Sequence, residues 1–305
     1  MLDLATFVGS AVLFMGALGA ALAAVLAIAN KKLHVADDPR IEQVDELLPQ
    51  TNCGACGSPG CRAFAEACVD GEKNPGQCTV NSKDMAAFIA EILGVELGQQ
   101  ERQVARLACA GGNHVSRMRA RYKGVESCRA AVVTGGGGKS CAWGCLGLGD
   151  CERSCDFGAI YMDEHGLPVV IEEKCVACND CILACPLHLF SLQPVSRKLW
   201  VACKSLAEGD DALADCEVAC TGCARCVADA PEGLISIREN LAVIDYTRNQ
   251  MATPLPTQRC PTGAIVWQEK QKVGKGMAAK RIIRNDPLPL DADQLQSRNQ
   301  RSYSA

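Results

Sequence analysis

The residues of this chain with the clearest capacity for chemistry are its cysteines, which number 21 in 305 residues. Four of them, between positions 175 and 186, follow the pattern C-x2-C-x2-C-x3-C-P. Thiolates at this spacing hold cubane [4Fe–4S] clusters, and the fourth cysteine of the run binds a second cluster. The pattern therefore predicts iron–sulfur chemistry. The four cysteines are Cys175, Cys178, Cys181 and Cys185.

A second run of four cysteines lies just before the first, at positions 141–155. Three and five residues separate its leading cysteines, and Asp156 stands where proline usually follows such a run. In two-cluster bacterial ferredoxins, each run gives its fourth cysteine to the cluster of the other run. The same crossing predicts two clusters here. One is assigned to Cys141, Cys145, Cys151 and Cys185, and its neighbour to Cys155, Cys175, Cys178 and Cys181.

The composition argues against other uses of so many cysteines. Disulfide frameworks are typical of small chains in oxidising compartments, and an odd cysteine count with tight C-x2-C spacing does not favour one. Structural zinc prefers paired C-x2-C motifs, often mixed with histidine, but all four histidines lie outside the cysteine runs. The formal net charge of −4, without a basic stripe interleaved with aromatic residues, argues against nucleic-acid binding.

The N-terminal segment predicts a membrane anchor. Positions 4–29 are apolar or small and carry no charge, and a helix of that length crosses a hydrocarbon core about 30 Å thick. A cleaved signal peptide is the alternative, but such peptides begin with a positive region, whereas this chain begins Met-Leu-Asp. Lys31 and Lys32 follow the span, so the positive-inside rule predicts a single-pass inner-membrane protein with its soluble part in the cytoplasm. Small residues recurring every four positions favour packing against another membrane helix.

A compact cysteine motif follows the predicted membrane helix. It reads Cys-Gly-Ala-Cys-Gly-Ser-Pro-Gly-Cys from position 53, and a further cysteine stands at position 78. The glycines allow the loop to wrap and bring backbone N–H groups close to the sulfurs. Cys68 falls on a predicted helix within this segment, and we interpret it as a small buried hydrophobic residue. The motif predicts a separate cluster bound by Cys53, Cys56, Cys61 and Cys78.

An internal repeat follows the two-cluster segment. Similar turns and short strands are predicted near positions 160, 190, 235 and 265, which indicates two tandem modules. The second module has lost one complete crossed ligand set, whose positions are now Ala230, Asn249, Ala252 and Leu255. The retained set predicts one cluster, bound by Cys220, Cys223, Cys226 and Cys260, and the alternative fourth ligand is Cys216.

Four cysteines besides Cys68 have no place in the three modules. They could converge on a fifth cluster or remain buried free thiols, and the sequence leaves both open. The glycine run at positions 135–138 before Lys139 lacks the spacing of a phosphate-binding loop, so we interpret it as a flexible lead-in to the next cysteine run. The four remaining cysteines are Cys109, Cys128, Cys203 and Cys216.

Several of these motifs together resemble the B component of the Rnf ion-translocating oxidoreductase complex, a membrane-anchored iron–sulfur electron carrier. The resemblance rests on the membrane span, the Asn-Cys-Gly-Ala-Cys-Gly-Ser-Pro-Gly-Cys-Arg motif from position 52, and the Gly-Leu-Gly-Asp-Cys motif that ends at Cys151. It implies electron transfer between reduced ferredoxin and a complex that ends at NAD, coupled to Na⁺ or H⁺ movement. It also implies soluble ferredoxin and the other subunits of the complex as partners. The resemblance implies that the four cysteines of the motif at 53–78 and the eight cysteines of 141–185 are cluster ligands. Asp156 is the residue within these motifs that differs from the usual pattern.

We therefore expect an α+β protein with a transmembrane anchor (1–30), a small helical [4Fe–4S] module (31–95), a two-cluster ferredoxin-like module (96–200), a degenerate one-cluster module (201–268) and a disordered tail (269–305). Four clusters are expected. The expected function is that of a translocase subunit without a catalytic acid or base of its own. The alternatives are a membrane-tethered polyferredoxin for another reductase or a quinone-linked complex without ion pumping, and a metal-stabilised scaffold or redox sensor.

Overall fold

The structure, a computed structural model, describes residues 2–33, 38–98, 101–270 and 272–290. Its first element is a long helix, α1 (Leu2–Leu33), with Lys31 and Lys32 in the last turn. The stretch Val8–Ala29 is long and apolar enough to cross a membrane, and none of it is buried against the rest of the protein. The predicted span is therefore one continuous candidate membrane helix, while positions 34–37 of the predicted linker lie outside the described residues.

A small helical module follows α1. Its core consists of buried side chains that include Val44, Phe64 and Ile89, one from each helix. The last helix ends at Leu93 because Gly94 takes the left-handed conformation, with φ of +66°, that commonly terminates a helix. The helices are α2 (Pro39–Glu46), α3 (Cys61–Val69) and α4 (Lys83–Leu93).

The next module has an outer antiparallel strand pair, β1 with β4, and an inner hairpin, β2 with β3. Asp163 fixes the hairpin turn, because its Oδ1 accepts hydrogen bonds from the backbone N–H groups of His165 (2.9 Å) and Leu167 (2.8 Å). The strands are β1 (Gln103–Leu107), β2 (Ile160–Met162), β3 (Pro168–Val170) and β4 (Phe190–Pro194). Three short helices accompany them, α5 (Cys128–Val133), α6 (Asp150–Arg153) and α7 (Asp180–Ala184).

The third module repeats this pairing order along the chain. Its outer pair is β5 with β8 and its inner hairpin is β6 with β7, so the repeat seen in the sequence is also a repeat of strand pairing. The strands are β5 (Leu199–Val201), β6 (Ile235–Arg238), β7 (Leu241–Ile244) and β8 (Ile265–Glu269). The helices are α8 (Gly209–Asp215) and α9 (Arg225–Asp229).

Hydrogen bonds join the two strand-containing modules. The buried Trp200 of β5 donates from its Nε1 to the carbonyl oxygen of Leu107 at 2.9 Å. The segment after β1 also pairs with the segment after α8, since the N–H of Glu217 donates to the carbonyl oxygen of Val115 at 2.9 Å. These contacts bring together segments that are about a hundred residues apart in the sequence.

The tail differs from its prediction. We expected disorder from position 269, but β9 (Lys272–Gly274) pairs with β8, and described structure continues to residue 290. Glu217 anchors this segment through ion pairs with Lys280 (3.2 Å) and Arg284 (3.3 Å). The polar composition that predicted disorder here supplies strand and ion-pair contacts instead. Positions 291–305 lie outside the described residues.

Candidate iron–sulfur centres

Four cysteines line a cavity of about 20 Å³ in the first strand-containing module. Two of the sulfurs accept backbone hydrogen bonds, from the N–H of Ala159 to Cys155 Sγ (3.3 Å) and from the N–H of Ala105 to Cys175 Sγ (3.5 Å). Burial raises the pKa of Cys178 and that of Cys181 to about 12. The four that share this cavity are Cys155, Cys175, Cys178 and Cys181, the same four that the crossing rule groups.

The other strand-containing module encloses an equivalent cavity, also of about 20 Å³. Helix α9 carries Cys226, and the chain then passes through the β6–β7 hairpin before it returns with Cys260, which is buried beside Leu234. Burial, with a smaller contribution from the nearby thiols of the same set, raises the pKa of Cys226 to about 12. The four cysteines that line the cavity are Cys220, Cys223, Cys226 and Cys260, while Cys216 lines a different one.

Apolar packing occupies the region of the lost ligand set. Ala230 and Ala252 pack against the core of the module together with Tyr246. The Tyr246 hydroxyl donates to the carbonyl oxygen of Leu199 at 3.0 Å, and burial raises the pKa of Tyr246 to about 12. Two of the four replaced positions therefore contribute to a packed core, whereas Leu255 is 58% exposed.

The N-terminal module brings three of its four predicted ligands to its small core. Cys61 is buried there, and Cys56 and Cys78 are partly buried against the same side chains. Asn52 holds the loop that carries Cys53, because its Oδ1 accepts a hydrogen bond from the backbone N–H of Cys61 at 2.8 Å. The loop is thus tied to the start of α3.

Cys68 belongs to the same core and is 2% exposed. Burial, with smaller contributions from the neighbouring thiols of Cys56 and Cys78, raises its pKa to about 11. Its thiol therefore stays neutral at pH 7 in the absence of a metal. Its position on α3 within the apolar core agrees with its interpretation as a small hydrophobic residue.

Three cysteines of the two-cluster segment remain, Cys145, Cys151 and Cys185, which were predicted to share a cluster with Cys141. Cys151 lies on α6 and Cys185 directly follows α7, and these two helices contact each other. Burial raises the pKa of both Cys145 and Cys151 to about 12. The backbone N–H of Leu189 donates to Cys185 Sγ at 3.4 Å.

Cys141 differs from its prediction, because it lines a third cavity of about 20 Å³ rather than grouping with Cys145. The backbone explains the difference. The N–H of Ser140 donates to the carbonyl oxygen of Arg117 at 3.0 Å, which holds this loop against the segment that follows β1. Cys128, which we grouped with Cys109, does not line this cavity. The cysteines that do are Cys109, Cys141, Cys203 and Cys216.

The spacing of the thiols suits a cluster better than a single ion. Within residues 2–33, 38–98, 101–270 and 272–290, no three Cys, His, Asp or Glu side chains converge closely enough to hold one metal ion. Zinc needs such convergence because its Zn–S bonds are about 2.3 Å long. A cubane is larger, so its four thiolates stand around a small central space. The cysteine-lined cavities have this arrangement.

The chemistry that such a group supplies when bound is one-electron transfer. The chain contributes the thiolates, backbone N–H groups that stabilise negative charge on sulfur, and apolar walls that limit water. The fold and these sites define an iron–sulfur protein with a candidate membrane helix.

Comparison with known proteins agrees with this class. The family model described as "Putative Fe-S cluster" matches residues 48–80. The B component of the Na⁺-translocating ferredoxin:NAD⁺ oxidoreductase complex of Acetobacterium woodii is 38% identical over 82% of this chain and 75% of its own length. The B component of the ion-translocating oxidoreductase complex of Methanosarcina acetivorans is 39% identical over 77% of this chain and 89% of its own.

A third relative, the B component of the proton-translocating ferredoxin:NAD⁺ oxidoreductase complex of Clostridium ljungdahlii, is 36% identical over 82% of this chain and 89% of its own length. The chain belongs to the family formed by the B component of the Rnf, or ion-translocating oxidoreductase, complex. The resemblance inferred from the motifs is confirmed.

The N-terminal module provides a matched pair of variants. Cys53→Ser removes a thiolate, so we expect the anaerobically purified full-length chain to lose the iron and sulfide of one cluster. Cys68→Ala changes a buried cysteine of the same module and is expected to keep all of its iron. Iron and acid-labile sulfide assays measure both, and unchanged iron in Cys53→Ser would contradict the assignment.

Cys260 tests the grouping in the last module. A cubane with three thiolates exposes one iron to loss, so Cys260→Ala is expected to lose its cluster or to convert it to a three-iron form. Electron paramagnetic resonance (EPR) of the oxidised protein detects the three-iron form, and after reduction the signals of the other clusters report that the chain is still folded. A wild-type iron content with no three-iron signal would show that Cys260 is not a ligand.

Proposed function

We propose that this chain is the electron-transfer subunit of a membrane-bound complex that couples electron flow between ferredoxin and NAD⁺ to the translocation of Na⁺ or H⁺. The observation that carries the proposal is the set of four-cysteine cavities on one chain that also begins with a candidate membrane helix. The names of the relatives from A. woodii and C. ljungdahlii support the two substrates.

The proposed clusters are of the [4Fe–4S] type. Two of the thiolate sets described above line small apolar cavities, and N–H groups donate to several of the sulfurs. These donors favour the more negative, reduced state of a cluster, because they stabilise charge on sulfur. The ligands that we propose in the three soluble modules include Cys53, Cys56, Cys61, Cys78, Cys155, Cys175, Cys178, Cys181, Cys220, Cys223, Cys226 and Cys260.

The proposed partners follow from this role. Soluble ferredoxin would supply or receive electrons, and the other membrane and peripheral subunits of the complex would hold the chain and link it to ion movement. The basic residues of the C-terminal segment are suited to an acidic partner. Lys272 and Lys275 lie on its exposed surface, whereas Lys280 is paired with Glu217.

Complementation tests the function. In inverted membrane vesicles that contain the complete complex but lack this chain, we expect the wild-type chain to restore NAD⁺ reduction by reduced ferredoxin together with ion uptake. Cys178→Ala removes a proposed ligand and is expected to abolish both activities, whereas Cys68→Ala should restore them. Ion uptake that is driven by ferredoxin without the chain would contradict the proposed role.

The proposed location is the inner membrane, with the soluble modules in the cytoplasm. Lys31 and Lys32 end α1, and positive charges at one end of a membrane helix are retained on the cytoplasmic side. A reporter enzyme that works only in the periplasm is therefore expected to stay inactive when fused to the C-terminus, and a fluorescent reporter that folds in the cytoplasm should work there. An active periplasmic reporter would reverse the proposed orientation.

A further inference from the structure

A third cavity lies between the two strand-containing modules. Its cysteines come from four separate places, after β1, before α6, after β5 and at the end of α8, and both modules contribute. The cavity volume of about 20 Å³ is the same as that of the cavities in the two modules. Three cavities of one size, each with four thiols, indicate one kind of occupant. The four cysteines are Cys109, Cys141, Cys203 and Cys216.

Two thiols of the third cavity accept the same local hydrogen bond, from the backbone N–H two residues further along the chain. The N–H of Gly111 donates to Cys109 Sγ, and that of Ser205 donates to Cys203 Sγ, both at 3.4 Å. Such a repeated N–H···S arrangement stabilises thiolates around an iron–sulfur cluster.

Two further hydrogen bonds connect the third cavity to the neighbouring sites. The N–H of Cys145 donates to Cys109 Sγ at 3.4 Å, and the N–H of Cys220 donates to Cys203 Sγ at 3.3 Å. Cys145 is a ligand candidate of the first strand-containing module, and Cys220 is one of the second strand-containing module. A cluster in the third cavity would therefore lie between the clusters of the two modules.

Lys139 places a positive charge beside this cavity. The side chain is buried, at 6% exposure, and its ammonium donates to the carbonyl oxygen of Gly111 at 2.6 Å and to that of Cys145. It also lines the cavity. A fixed cation offsets the negative charge of four thiolates and favours the reduced state of a cluster. The glycine run that ends at Lys139 thus positions a charge, although it lacks the spacing of a phosphate loop.

Because Cys141 lines the third cavity, the ligand set predicted for Cys145, Cys151 and Cys185 in the first strand-containing module lacks its fourth member. Cys128 lies close to this set. Asp150 links the two segments, because its carboxylate accepts hydrogen bonds from the Ser127 hydroxyl (3.0 Å) and from the Arg129 N–H (3.2 Å). Cys128 stands between those two residues, and Cys151 directly follows Asp150.

The second link runs to the other ligand of that set. The Arg129 guanidinium donates to the carbonyl oxygen of Leu183 at 2.8 Å, two residues before Cys185. The start of α5 is therefore bound to both cysteine-bearing helices.

We propose that the third cavity binds a fifth [4Fe–4S] cluster that bridges the two modules, and that Cys128 takes the position predicted for Cys141 in the first module. The proposal rests on the proposed function. The bridging cluster accepts one electron from a reduced cluster in one module, which returns to its oxidised state, and then passes that electron to an oxidised cluster in the other. No bond forms or breaks. The bridging ligands are Cys109, Cys141, Cys203 and Cys216, and the revised set is Cys128, Cys145, Cys151 and Cys185.

Paired substitutions test the grouping in the full-length chain, purified anaerobically in detergent and assayed for iron and acid-labile sulfide. Cys216→Ala is expected to lose one cluster, about a fifth of the iron. Cys141→Ala combined with Cys216→Ala should lose no more than Cys216→Ala alone, since both residues serve one cluster. Cys128→Ala combined with Cys216→Ala should lose two clusters. The EPR signal of the cluster bound by Cys260 reports folding in every variant.

The reverse result would overturn the proposed exchange. Suppose that Cys141→Ala combined with Cys216→Ala loses two clusters, and that Cys128→Ala combined with Cys216→Ala loses one. The grouping predicted from the spacing is then correct. If Cys216→Ala keeps all of its iron and a zinc-specific chelator detects no difference in zinc between the variant and the wild type, the third cavity holds free thiols. If Cys216→Ala loses zinc rather than iron and sulfide, the third cavity binds zinc. These assays need no partner protein, so their failure is distinct from failure of ferredoxin-dependent NAD⁺ reduction.

Lys139→Gln provides a test that leaves the ligands intact. Glutamine keeps a hydrogen-bond donor but removes the charge, so we expect unchanged iron and a lower reduction potential for one EPR signal, the same signal that Cys216→Ala abolishes. Lys83→Gln, an exposed change on α4, is the control and should leave every potential unchanged. An unchanged potential in Lys139→Gln, or a shift in a signal that survives Cys216→Ala, would contradict the placement of the charge.

Discussion

The binding of four thiolates to one iron–sulfur cluster is the constraint on which the soluble part of this structure depends. The strands are only three to five residues long, and aromatic residues make up 4% of the chain, so apolar packing alone offers a small core. The cysteines lie where strands end and short helices begin, and backbone N–H groups are directed at their sulfurs. Metal binding in such modules also supplies folding free energy.

Two strands connect the proposed centres. The N–H of Ala105 in β1 donates to Cys175 Sγ in the cavity of the first strand-containing module. Cys109 of the third cavity follows four residues later, and this interval from Ala105 to Cys109 is about 13 Å at the rise of a strand. Val201 of β5 lines the second-module cavity, and Cys203 of the bridging cavity follows two residues later, about 7 Å away by the same rise. The short intervals give the proposed relay a continuous path through the two modules.

The sequence and the structure group the same cysteines where the predicted ligands lie in compact runs. The spacing from Cys175 to Cys185 and the deletion pattern that singled out Cys260 both placed cysteines in groups that the structure also brings together. The two groupings differ for Cys141, which in the structure lines a cavity whose cysteines come from four separate segments joined by long-range pairing. The stretched interval between Cys141 and Cys145 was the available signal. The C-terminal segment was also mispredicted, because its polar residues find partners, such as Glu217, that local composition does not reveal.

The magnetic interaction between reduced clusters tests the central claim most directly. A bridging cluster within reach of both modules should couple to its neighbours when the full-length chain is completely reduced. The account predicts that spin–spin interaction broadens the EPR signal of the last-module cluster, the signal that is lost in Cys260→Ala, and that this signal sharpens in Cys216→Ala, whereas the two clusters of the first strand-containing module stay coupled to each other. A wild-type spectrum that is already the simple sum of independent clusters, with the same spin count as the variant, would contradict it.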